Sequence, residues 1–151
     1  YANAPQERLV TAYVGKDGRQ ERDRIIAWQD YSISHAELFT TPDDLGRFLT
    51  AVARGRFARK ETLVRLWRPY RLTNGEAVGF ASGWDLGEED GIIDVGHDGG
   101  VKVRVRLLFR NGNLDDSYVI IYLTNGTQDN TWTRTLVESL EKIILPFSAA
   151  R

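Results

Sequence analysis

The apolar positions change their spacing along the chain, and each change marks a change of predicted element. Residues 1 to 37 are mostly polar. Their apolar pairs, Leu9-Val10 and Ile25-Ile26, are separated by a Lys16-Asp17-Gly18 turn signal and a charged stretch from Arg19 to Arg24, which predicts extended or loop structure. Thr41-Pro42-Asp43-Asp44 then reads as a helix start: a Thr N-cap, a proline at the first helical position, and two carboxylates near the positive end of the helix dipole. Leu45, Phe48, Leu49 and Val52 follow at helical spacing and predict a core-facing stripe, with Gly55 as the stop. A second helix is expected from Lys60 to Trp67, carrying Leu63, Leu66 and Trp67, and ended by Pro69.

Beyond Pro69 the period drops to two. Val78, Phe80, Ser82, Trp84 and Leu86 alternate with Gly79, Ala81, Gly83 and Asp85. Val101, Val103, Val105, Leu107 and Phe109 alternate with Lys102, Arg104 and Arg106. Both runs predict strands with one buried face. Glu88-Glu89-Asp90 reads as a hairpin loop and Asn111-Gly112-Asn113 as a tight turn, while Ser117 to Leu123 is apolar on both faces, as in a central strand. A last helix is expected from about Thr131, with Trp132, Leu136, Leu140, Ile143 and Ile144 on one side, until Pro146. The order helix, helix, antiparallel meander, helix gives an α+β class, an antiparallel β meander packed with helices. No internal repeat or low-complexity segment interrupts it.

Composition narrows the function more than the fold. The chain has 151 residues with 42% hydrophobic and 27% charged positions, a profile that fits one globular domain. Twenty Lys+Arg against twenty-one Asp+Glu leave a formal charge of -1, so bulk attraction to nucleic acid or an anionic membrane is not expected. The basic group Arg54, Arg56, Arg59, Lys60, Arg65, Arg68 and Arg71 reads as a solvated helical face. No apolar run approaches the roughly 18 residues of a membrane span, and the N-terminus has no export-signal pattern. The absence of Cys removes disulfides, thiolate metal sites and Cys nucleophiles, and leaves the compartment open. The absence of Met leads us to expect a cut or processed piece of a longer product.

The sharpest local feature is Val95-Gly96-His97-Asp98-Gly99-Gly100, in which glycines flank a histidine after the short apolar strand Ile92-Ile93. From the residues alone it is either a turn with a solvated His or a site, because His97 has no partner identifiable in sequence. The other histidine, His35, stands near Ser34 and Glu37. Two histidines without Cys do not make a typical zinc site, so neither a metal nor a cofactor is expected.

Four segments in order carry a resemblance. Leu38 to Leu49 (LFTTPDDLGRFL) is similar to a "gl.st..DlarFl" helix start, and Gly79 to Leu86 (GFASGWDL) to a "GlGw" strand. Gly96-His97-Asp98-Gly99-Gly100 resembles a "GHtGg" or "KTGg" triad strand, and Tyr122-Leu123-Thr124-Asn125-Gly126 a "vvLtNg" strand leading into the last helix. Together they make residues 38–151 resemble the C-terminal portion of a β-lactamase/transpeptidase-like fold, that of the serine β-lactamase-like family of class C β-lactamases, DD-peptidases and esterases. Residues 1–37 would be an extended or loop segment ahead of it.

The resemblance implies an acyl-serine reaction on a β-lactam, a D-amino-acid peptide or a small ester. It relies on a Ser-x-x-Lys, a Tyr-x-Asn and a Lys/His-x-Gly. Only the third maps convincingly, so the missing N-terminal half of the same protein is the implied partner. The triad His leans towards an ester or peptide substrate. On the resemblance His97 lines the cleft, where its imidazole can donate a hydrogen bond to a substrate carboxylate or to the tyrosine. Val101 would give the backbone oxyanion donor, Asp98, Gly99 and Gly100 would border the substrate, and Asn130 would meet a substrate carboxylate. The resemblance also implies a periplasmic or extracytoplasmic setting, with a cytoplasmic one as the alternative.

Two further matches read as coincidence. Ser139-Leu140-Glu141-Lys142 lies late on the terminal helix, where Lys142 can pair with Glu138. Tyr1-Ala2-Asn3 is followed by the wrong residues for its motif, and Arg8 to Tyr13 instead resembles the family's "rLa.gY" segment. Val101 to Arg106 departs from the family by being bulky and charged where small residues are usual. Asn125-Gly126-Thr127 fits a glycosylation sequon, meaningful only in a secreted eukaryotic protein. The alternative to an enzyme half is a non-catalytic ligand- or protein-binding module built on the same scaffold.

Overall fold

Thr41 begins the first helix as its residue type dictates: its Oγ1 accepts from the Asp44 backbone N–H at 3.1 Å, and its own hydroxyl donates to Asp44 Oδ2 at 3.0 Å. The computed structural model describes residues 10–16, 19–22, 38–99, 103–127, 139–140 and 142–143. Helix α1 runs Pro42–Ala53 and stops at Gly55 in a Schellman arrangement, with Gly55 N–H on the Val52 carbonyl and Arg56 N–H on the Ala51 carbonyl. Gly55 has φ +73°, a value that favours glycine. Thr41→Ala is expected to lower stability by about 1 kcal/mol, read as a shift of the urea midpoint at unchanged slope; an unshifted midpoint would mean that the cap is replaced by water.

Leu49, Val52 and Ala53 are buried, but Phe48, expected in the core stripe, is exposed and packs against Phe57 with ring centroids 5.6 Å apart. Helix α2, Lys60–Leu66, buries Leu63, and Trp67 caps it; Leu66, expected inward, faces outward because a helix this short turns only one narrow stripe to the sheet. Trp67 anchors α2. It is 2% exposed and meets Trp84 at 5.8 Å and Phe109 at 5.9 Å. The basic side chains of residues 54 to 71 lie at the surface, as expected of a solvated face.

The strands are β1 (Tyr13–Lys16), β2 (Arg19–Arg22), β3 (Tyr70–Arg71), β4 (Ala77–Val78), β5 (Phe80–Ala81), β6 (Trp84–Glu89), β7 (Ile92–Gly99), β8 (Val103–Arg110), β9 (Asn113–Tyr122) and β10 (Gly126–Thr127). The run from Val78 to Leu86, expected as one strand, is divided. Val78 pairs with Tyr70 in a separate hairpin, and a turn at Ser82-Gly83 folds β5 back on β6. The turn residues have φ 54° and 85°, the mirror-image geometry whose twist suits hairpins. Asp90-Gly91 (52°, 74°) and Asn111-Gly112 (50°, 74°) repeat it and close the β6–β7 and β8–β9 hairpins. The result is a five-stranded antiparallel meander in the order β5-β6-β7-β8-β9. Strand β9, expected to be central, is its end strand among the described residues; both of its faces are covered all the same.

On one face Val95, Leu107 and Phe109 pack with Val52, Ala53, Leu63, Trp67 and Leu114, so this face carries the helices. On the other, Leu108 and Ile120 pack with Ile92, Tyr118 and Tyr122. Strand β1 joins β10 in parallel and β2 antiparallel, tying the first residues described to the last strand. The described residues of the last helix, 139–140 and 142–143, are helical. Leu140 and Ile143, expected together on one side of that helix, are exposed. No helix among the described residues is long and apolar enough to cross a membrane.

Candidate active site

Glycines and β-branched residues place His97 in a strand rather than a turn. Ile92, Ile93 and Val95 favour extended backbone, and Gly96 allows the neighbouring strand to come close, so β7 continues through His97 to Gly99. The turn, one of the two readings of the glycine-flanked histidine, is not what forms: the backbone is extended there and His97 is exposed. Strand β8 pairs with β7 along its whole length, ending at His97↔Val105, Asp98↔Arg104 and Gly99↔Val103. Strand β6 stops pairing at Asp85↔Gly96. Among the described residues, His97, Asp98 and Gly99 are therefore laddered on one side only. An open strand edge of this kind can take an extended acyl or peptide chain through its backbone groups.

By alternation His97 shares the face of Val95, on the helix-bearing side, but at the exposed end of the strand. Its Nδ1 is 2.7 Å from the Asp98 carbonyl oxygen. The Phe80 ring stands against the imidazole edge to face, with centroids 6.2 Å apart and planes at 80°.

Asp98, which the resemblance would set beside the substrate, turns its side chain to the opposite face. Its carboxylate accepts from Arg104 Nη1 at 3.0 and 2.8 Å and from Arg106 Nη2 at 2.9 Å. Asp94 adds contacts of 3.5 Å to each arginine, and Asp85 lies 3.9 Å from Arg106. Arg104 and Arg106, expected on a solvent face, are only 3% and 5% exposed. The correction has a physical reason: the three carboxylates across the ladder supply the charge that lets two guanidiniums leave bulk water. Gly96 makes the room. A Cβ there would run into the Val105 carbonyl oxygen and would lie 2.5 Å from Arg106 Cδ and 2.8 Å from its Nη1.

The structure thus brings His97, Asp98 and Gly99 onto one strand end and divides their side chains between two faces. Gly100, Val101 and Asn130 lie outside the described residues, as does Tyr1-Ala2-Asn3. Ser139 and Lys142 are exposed helical residues. Asn125 Nδ2–H donates to the Thr11 carbonyl at 3.0 Å. Sequence reasoning missed the Asp94–Asp98–Arg104–Arg106 cluster, although part of its signal is present: Asp94, Gly96 and Asp98 share one face of a strand, and Arg104 and Arg106 share one face of the next.

The model of the beta-lactamase family matches residues 1–137. Penicillin-binding protein 4* of Bacillus subtilis (strain 168) is 28% identical over 134 residues, which cover 87% of this chain and 29% of that protein. The chain therefore spans less than a third of the length of that relative. No solved structure matches the chain.

Proposed function

The chain belongs to the beta-lactamase family, and from that premise we propose that it supplies the His-x-Gly cleft wall of a serine hydrolase acting through an acyl-serine on a β-lactam, a D-amino-acid peptide or a small ester. One observation carries this reading: the exposed His97 sits where β7 runs past the end of its pairing with β6, so that, among the described residues, a side chain with two ring nitrogens stands beside a strand edge with no ladder partner. An acyl group laid along that edge would be aligned by strand-like hydrogen bonds. The Val101 N–H would then complete an oxyanion hole, and Gly99 and Gly100 would keep the edge unobstructed. Asn130 would hold a substrate carboxylate. Asp98 contributes through its backbone, since its carboxylate is taken up by Arg104 and Arg106. The nucleophilic serine and its lysine belong to the remaining, N-terminal part of the protein, and the acyl transfer is complete only with them.

The test is denaturing mass spectrometry of the full-length gene product after treatment with a fluorophosphonate and, separately, a penicillin. One adduct per chain is expected, and His97→Ala is expected to slow its formation by about ten- to a hundredfold. An adduct formed at an unchanged rate would remove His97 from the cleft. No adduct from either reagent would favour the non-catalytic binding module.

A further inference from the structure

The buried charge cluster and the exposed histidine meet in one residue. Asp98 receives the arginines on its carboxylate and His97 Nδ1 on its carbonyl oxygen. A carbonyl oxygen only accepts, so a hydrogen bond of 2.7 Å to it requires the proton to be on Nδ1. An uncharged imidazole has a single N–H, and Nε2 is then left with its lone pair.

We infer that Asp98 is a positioning residue that holds His97 as the Nδ1–H tautomer, so that the uncharged ring presents Nε2 to the cleft as a hydrogen-bond acceptor. Three N–H bonds from two nearly dry guanidiniums fix the Asp98 carboxylate, and through it the peptide plane that carries the accepting carbonyl. The Phe80 ring packs edge to face against the imidazole in this orientation. Histidine free in water favours the proton on Nε2, so the opposite tautomer depends on such a fixed acceptor.

The consequence rests on the cleft-wall reading above and sharpens it. The group that meets uncharged His97 must be a donor, a hydroxyl or an ammonium. A free carboxylate, the partner implied by the resemblance, would meet a lone pair unless the ring were charged. Neutral esters and peptides with a hydroxyl or amine near the reacting carbonyl therefore fit better than ligands whose carboxylate falls there.

The test needs neither substrate nor turnover, so its failure is separate from failure of the hydrolase reading. His35→Gln leaves one histidine in the full 151-residue chain. Multiple-bond ¹⁵N–¹H correlation spectra at alkaline pH then distinguish a proton-bearing ring nitrogen from a bare one. The expected spectrum has Nδ1 proton-bearing and Nε2 bare. Asp98→Asn is expected to move the two nitrogen shifts towards each other as the other tautomer gains population, with amide dispersion reporting a retained fold. If Asp98→Asn does not fold, Arg106→Lys, which keeps the charge and removes the fork, takes its place with the same expected shift. A bare Nδ1 in the parent chain overturns the proposal, and so do shifts unmoved in the folded variant.

Discussion

Asp98→Ala is expected to lower the unfolding free energy by about 3 kcal/mol, seen as a urea midpoint moved down at constant slope. Three charge-assisted N–H bonds disappear, and two guanidiniums with almost no access to water are left facing Asp94 at 3.5 Å and Asp85 at 3.9 Å. Those remaining carboxylates, and the partial exposure of Asp98 itself, keep the loss near the lower end of what breaking a buried ion pair costs. Asp115→Ala is the control. It removes the Lys60–Asp115 pair, whose carboxylate is 75% exposed, and should change stability by less than about 1 kcal/mol. Equal effects from the two substitutions would mean that Arg104 and Arg106 are solvated and that the cluster has no special weight.

Gly96→Ala should be more damaging, by about 4 kcal/mol or more, enough to remove most of the stability of an ordinary domain. The added methyl meets a backbone carbonyl on the neighbouring strand, which cannot rotate away, and the Arg106 side chain that lies over the glycine. Relief would require β7 and β8 to separate where Val95 and Leu107, both fully buried, seal the helix-bearing face. Gly87→Ala tests the explanation on the same sheet. Its Cβ would sit 3.6 Å from Asp94 Cβ, an ordinary contact, and the melting temperature should hardly change. A Gly96→Ala chain that melted with the parent would show that the two strands are farther apart than described here.

What could be read from sequence follows from how local each signal is. The bounds of helix α1 were legible because its cap, proline and acidic turn lie together at one end and its glycine stop at the other. The Asn111-Gly112 turn was legible for the same reason. The turn at Ser82-Gly83 was not. Serine rarely takes positive φ, and the alternation of Phe80, Trp84 and Leu86 runs straight across it. Arg104 and Arg106 were misplaced because alternation assigns a charged residue to solvent, and only the strand register reveals Asp98 opposite Arg104 and Gly96 opposite Arg106, with Asp94 diagonal to it. The candidate site divides in the same way. His97 could be found from its flanking glycines, whereas the open strand edge beside it depends on where β6 ends, which no local pattern marks.

The parallel pairing of β1 with β10 also bears on how the chain is made. Every neighbour in the five-stranded meander is adjacent in sequence, so those hairpins can form as each leaves the ribosome. Strand β1 differs: Asn125 and Thr11, which bond across that pairing, are 114 residues apart. At ordinary translation rates β1 waits about 6 to 23 s for its partner to be synthesised. Throughout that interval the edge it will later give to β10 lacks its partner strand, which makes the β1–β2 hairpin a place where a chaperone's protection during synthesis would count.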